Sequence, residues 1–205
     1  TDAIVSEKEV LVRADADAAA VKRMEAKGLW ERGERVVDAS EQMDANRPVP
    51  LPVLNAHQSE AYGALRASQQ AGRMALLHGV TGSGKTEVYI HLIADALERG
   101  DTVLFLVPEI ALTTQLIQRL SHHFAAFLHV YHSRFTRRER TETWLEVLGK
   151  GRPAPKLIVG PRSALFLPMQ QLGLVIVDEE HEPSFKQYDP APRYQARDVA
   201  MSVSY

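Results

Sequence analysis

Gly79-Val80-Thr81-Gly82-Ser83-Gly84-Lys85-Thr86 fits the spacing G-x-x-x-x-G-K-[ST] and lies between an apolar run, Met74–His78, and a helical pattern, Lys85–Arg99. A strand, a glycine loop and then a helix is the order that cradling a phosphate requires. The glycines let successive backbone N–H groups turn toward phosphate oxygens, and the start of the helix adds partial positive charge. Lys85 is placed to reach the β- and γ-phosphates, and the Thr86 hydroxyl to ligate Mg²⁺. Gly79, Thr81, Gly82, Ser83, Gly84, Lys85 and Thr86 are therefore the candidate nucleotide contacts, with ATP and Mg²⁺ as the candidate ligands. The bland alternative is an ordinary glycine-rich turn.

Outward from this loop, strands and helices alternate. The pattern predicts a helix over 58–70, a strand over 74–78 and a helix over 85–99 closed by Gly100. It continues as strand 102–107, helix 110–124, strand 129–132, helix 136–149, strand 156–159 and strand 172–177. The runs VLFLV and LVIV are apolar throughout rather than alternating, so both of their faces should be covered. The predicted fold is α/β, a parallel sheet with helices on both faces.

The last of these runs, Leu174-Val175-Ile176-Val177, passes directly into Asp178-Glu179-Glu180-His181. At a strand end beside bound phosphates, Asp178 can hold Mg²⁺ through its water shell. Glu179 can orient and deprotonate an attacking water, the general-base role in hydrolysis. Lys85, Asp178, Glu179 and His181 form the candidate catalytic set, and Thr86 and Asp178 the candidate metal contacts. Read without the phosphate loop, the same stretch would be a solvated acidic turn.

Ligands of open parallel sheets collect at the carboxyl ends of the strands. Here those ends carry Pro108-Glu109 followed by IALTTQ, His132-Ser133, and Gly160-Pro161-Arg162-Ser163. Arg162 and Ser163, with the backbone N–H groups of their turn, could grip a phosphodiester, and so could Thr113 and Gln115. Each alone reads more readily as capping or packing. Arg134, Arg137, Arg138 and Arg140 read first as a solvated helix face. His122 and His123 are adjacent and have no partner four residues on, so no histidine metal site is expected.

Residues 1–46 read differently. An Ala-rich helical pattern at 15–27 stops at Gly28, and two short runs around Arg32-Gly33 suggest a hairpin. Helix then hairpin is the second half of a winged helix, although a generic helical appendage fits equally well. The alternating prolines of Arg47-Pro48-Val49-Pro50-Leu51-Pro52 mark an extended linker over 47–54, followed by the α/β domain at 55–205.

Composition limits the remaining choices. The 205 residues include no cysteine, which excludes disulfides, Cys-based zinc sites and thiol catalysis within this stretch. The longest stretch free of charged residues, 163–177, is too short and polar to span a bilayer. The first residues lack a basic-then-apolar leader, so a cytoplasmic location is expected. Twenty-four basic against twenty-six acidic side chains give −2, which argues against a polycation but not against a nucleic-acid groove.

Gln58, GVTGSGKTEVY, VPEIALTTQ, VGPRSALF and VDEEH together resemble the ordered motifs of superfamily-two helicases, and most specifically the bacterial replication-restart helicases. The segment FKQYDPAPRYQARDVA is similar to that family's aromatic-rich loop, which links single-stranded DNA binding to ATP hydrolysis. The resemblance implies a RecA-like first motor lobe and an adenine-reading role for Gln58. It implies DNA contacts at Phe185, Lys186, Tyr188, Arg193, Tyr194 and Arg197, with Gln187 and Asp198 in the same motif. Stacking of bases on aromatic rings, with cations along the backbone, gives that motif its physical sense.

By the same resemblance, the activity would be 3′→5′ unwinding of DNA at stalled forks and assembly of the primosome. Its partners would be single-stranded and forked DNA, single-strand-binding protein and other primosome proteins. The family's arginine finger and zinc-binding insertion belong to a second lobe beyond Tyr205. Since an arginine finger contributes on the order of 10³–10⁵ in rate, this stretch alone is expected to hydrolyse ATP very slowly. Two other readings remain open at this stage, a small-molecule phosphotransferase on the same loop and a non-catalytic DNA-binding module.

Overall fold

The computed structural model describes residues 49–80, 82–150, 153–189 and 191–203. All lie in one compact unit, Ala45–Tyr205. The winged-helix reading of 1–46, the start of the linker and Thr81 fall outside the described residues.

Helix α1 (Ala56–Gln70) begins on a capping box in which the Asn55 side chain accepts from Gln58 N and the Gln58 side chain accepts from Asn55 N. Helix α2 (Lys85–Glu98) follows the glycine loop, and strand β1 (Thr102–Leu106) follows α2. Next come a 3₁₀ turn (Glu109–Ala111), α3 (Thr114–Phe124), β2 (Leu128–Val130) and α4 (Arg137–Val147). Strand β3 (Leu157–Gly160), a 3₁₀ turn (Arg162–Phe166) and β4 (Leu172–Val177) complete the main sheet. Beyond a short turn (Pro183–Phe185), β5 (Lys186–Gln187) and β6 (Tyr194–Gln195) pair antiparallel, and α5 (Ala196–Val203) follows.

The main sheet has the order β2-β3-β1-β4, with every pair parallel. Strands β1 and β3 are buried on both faces, as their composition implies. Val103, Phe105 and Val107 pack with Ile90 and Ile93 of α2 and with Leu120 and Phe124 of α3. The alternate residues Leu104 and Leu106 pack on the other face with Val147 of α4, Leu165, and Ala196 and Ala200 of α5. The period-2 alternation of a strand thus feeds two apolar layers from one uninterrupted run.

Three expectations about the elements need correction. Residues 74–78 form no strand; Met74 is 65% and Leu76 76% exposed. An apolar run forms a strand only when a neighbour takes up its N–H and C=O groups, and here a cleft separates the run from β4. The predicted helix over 110–124 begins late. Ile110 sits in the 3₁₀ turn, and Thr113 caps α3 by accepting from Leu116 N at 3.3 Å. Strand β4 is covered less fully than its sequence suggests, because it forms an edge of the four-stranded sheet with only Ile176 fully buried. No described helix is long and apolar enough to cross a membrane.

Candidate nucleotide site and nucleic-acid edge

Because all four strands are parallel, their carboxyl ends share one edge, and the acidic run leaves that edge from β4. Asp178 N donates to Leu106 O at 2.9 Å, which fixes the carboxylates directly beyond the last β1–β4 pair. A cleft of about 830 Å³ lies between β4 and residues 72–80, lined by Gly79, Val80, Lys85, Tyr89 and all of Asp178 to His181. The phosphate loop and the acidic strand end therefore face the same space, as the sequence requires.

The described residues of the loop turn sharply at its glycines. Gly82 and Gly84 both have φ of +80°, in the left-handed region that glycine enters without penalty. A Cβ on Gly84 would collide with the Gln58 amide nitrogen, and one on Gly79 would lie 2.8 Å from Ser83 Oγ. Lys85 Nζ donates to Gly79 O at 2.8 Å, so the ammonium folds back over the curl of the loop. These features fit a nucleotide phosphate chain. The candidate metal contacts from the sequence, the Thr86 hydroxyl and the Asp178 carboxylate, are both hard oxygens. Among the described residues no cluster of three His, Asp or Glu could cage a cation by itself. That chemistry suits Mg²⁺, which keeps its waters and shares one or two protein oxygens with substrate phosphates.

Gln58 lies beside the loop. Its Nε2 donates to Gly84 O at 3.3 Å while its Oε1 closes the capping box, so the amide ties the end of the loop to the start of α1. Glu87, one turn into α2, pairs with Arg119 of α3.

Each carboxylate of the acidic run has a different partner. Asp178 Oδ1 accepts from the Tyr89 hydroxyl at 3.1 Å. Glu179 has φ of +51°, a conformation that costs a non-glycine residue roughly 1–3 kcal/mol, and its carboxylate lies 3.7 Å from His181 Nε2. Glu180 pairs with Arg197 of α5 at 2.8 Å. Sequence reasoning assigned no role to Tyr89 or Glu180. A signal for Tyr89 was present, since it follows Lys85 by four residues and so shares its face of α2.

The candidate DNA contacts divide into two groups. Thr113, Gln115, Lys186, Tyr188, Arg193 and Arg197 are exposed, with Lys186 Nζ 4.7 Å above the Tyr188 ring. Tyr194 is half-buried and meets the exposed Phe166 edge-on at 5.0 Å. Ser163 is half-buried in its 3₁₀ turn. Arg162 donates to the carbonyls of Ser184 (2.9 Å) and Lys186 (2.7 Å), tying the end of β3 to the aromatic loop. Phe185 corrects the expectation. At 1% exposure it packs with Leu167 and Ala196 in the second apolar layer, where no base can reach it.

The DEAD/DEAH box helicase profile matches residues 55–202. The chain belongs to the DEAD/DEAH box helicase family. It is similar to replication restart protein PriA of Chlamydia muridarum (strain MoPn / Nigg), with 41% identity over 202 residues covering 95% of this chain and 26% of the relative. PriA of Bacillus subtilis (strain 168) is 37% identical over 197 residues, 94% of this chain and 24% of the relative. The match to PriA of Helicobacter pylori (strain ATCC 700392 / 26695) is 46% over 154 residues, 75% and 24% respectively. The chain thus spans about a quarter of the length of these curated relatives. Membership of this helicase family implies nucleotide binding.

Proposed function

We propose that this chain supplies the ATP-binding motor lobe of a 3′→5′ DNA helicase that restarts replication at stalled forks in the bacterial cytoplasm. The observation that carries the reading is the shared cleft of Lys85, Asp178 and Glu179. Lys85 leaves Gly79 O for the β- and γ-phosphates, and the N-terminal turn of α2 presents its N–H groups to the same oxygens. Mg²⁺ between Thr86 and Asp178 would neutralise charge on those phosphates. Glu179 accepts a proton from the attacking water and passes it to solvent through His181, the exposed neighbour of its carboxylate.

DNA runs along the strand ends. Thr113, Gln115 and Ser163 take phosphates, Tyr188 and Tyr194 offer ring faces to unstacked bases, and Lys186, Arg193 and Arg197 follow the backbone. Arg162 contributes by holding the aromatic loop, with its remaining N–H groups available to a phosphate. Because Arg197 is also the partner of Glu180, a strand drawing on Arg197 would be felt beside the hydrolytic carboxylate. The similarity to replication restart proteins supports forked DNA, single-strand-binding protein and other primosome proteins as partners, a partial winged helix over 1–46, and a linker over 47–54.

The test is ATP hydrolysis by the intact protein with and without single-stranded DNA. Hydrolysis that rises with DNA and vanishes in Lys85→Ala is the expected result. Phosphorylation of a small acceptor without DNA dependence would identify a phosphotransferase instead.

A further inference from the structure

Tyr89 is the one polar side chain from the glycine-loop helix that reaches the acidic strand end among the described residues. It is 7% exposed, its ring meets Phe105 edge-on at 5.5 Å, and its hydroxyl donates to Asp178 Oδ1. The hydroxyl therefore crosses from α2 to the first residue beyond β4. Asp178 Oδ2 has no protein partner among the described residues, and Asp178 and Tyr89 both line the cleft that holds Lys85.

We propose that Tyr89 is a positioning residue that locks the carboxylate of Asp178 so that Oδ2 faces the metal shared with Thr86. This rests on the nucleotide reading above. A free aspartate samples several rotamers, and only some direct an oxygen at the metal waters. A hydrogen bond on Oδ1 removes that freedom before the metal arrives. Thr86 and Tyr89 also lie three residues apart on α2, so one helix sets the hydroxyl that touches the metal and the hydroxyl that aims the opposing carboxylate.

The test uses the intact protein with Tyr89→Phe, which keeps the ring against Phe105. A fluorescent ATP analogue is bound while MgCl₂ is titrated, and Mn²⁺ uptake by the nucleotide complex is followed by electron paramagnetic resonance. The expected result is a half-saturating Mg²⁺ concentration raised by about three- to tenfold, the loss one hydrogen bond supports, with metal-free nucleotide binding unchanged and the thermal midpoint lowered only slightly by loss of that same bond. Weaker Mn²⁺ uptake should accompany it. Tyr89→Leu, which also loses the ring, should add a fall in thermal midpoint.

A Tyr89→Phe titration that superimposes on the wild type would overturn the proposal and leave Tyr89 as a packing residue. A wild type that binds the nucleotide with no metal dependence would overturn this proposal alone, and one that does not bind the nucleotide at all would overturn the nucleotide reading as well.

Discussion

Strands β1 and β4 are hydrogen-bonded neighbours, yet they do different work. Every residue of β1 is buried, and its side chains feed both apolar layers. Strand β4 pairs with β1 on one side only; its other side opens on the cleft that contains Lys85 and the carboxylates. Such an edge strand can carry ionisable groups at its end without burying them, whereas the same residues beyond a fully enclosed strand would have to shed their water. The molecule keeps its stability in β1 and β3 and its chemistry at the margin of β4.

That division can be tested by substitutions on either side. The largest effect belongs to the margin. Glu179→Gln should lower DNA-stimulated ATP turnover by about 10²–10⁴ while nucleotide affinity and unfolding midpoint stay near the wild type. A parallel loss of stability would mean that the acidic turn is part of the core after all. Next comes the interior. Phe105, which is 0% exposed, should cost about 3–5 kcal/mol in chemical denaturation when replaced by alanine. Leu76, 76% exposed on the far side of the cleft, should change stability by no more than about 0.5 kcal/mol on the same replacement. Equal losses at the two positions would show that 74–78 is packed.

The smallest effect concerns β2, at the opposite edge. Burial pushes the His129 imidazole below its ordinary value, outweighing Glu146, which lies 3.5 Å away and pulls upward. Below pH 6.5 the unfolded chain then binds this proton more readily than the folded one, so stability should erode as the pH falls and be complete above 6.5. His129→Gln should flatten that slope below pH 6.5 in thermal melts. An unchanged slope would place the acid sensitivity elsewhere.

Much of this arrangement is legible in the residues. The glycine loop, the uninterrupted apolar strands and the carboxylates after Val177 each reflect a local requirement, so order and spacing suffice to find them. What local pattern cannot supply is the neighbour. The run at 74–78 has the apolar character of a strand, but pairing depends on what lies alongside, and a cleft lies there. Phe185 belongs to an aromatic-rich segment whose composition suits base stacking, yet its position at the end of the short turn, immediately before β5, directs it into the apolar layer with Leu167. Arg162 looks like a phosphate grip because nothing in its own motif names the carbonyls of Ser184 and Lys186, about twenty residues later, as its acceptors. Tyr89 was hidden for the same reason, since its partner lies eighty-nine residues away.

The most direct test is a crystal structure of the intact protein with Mg²⁺ and a nonhydrolysable ATP analogue. The triphosphate should lie in the curl of Gly79 to Thr86, with Lys85 Nζ withdrawn from Gly79 O onto the terminal phosphates and the metal waters within reach of Asp178. A nucleotide bound elsewhere, or phosphates in the loop with their metal turned away from β4, would contradict it.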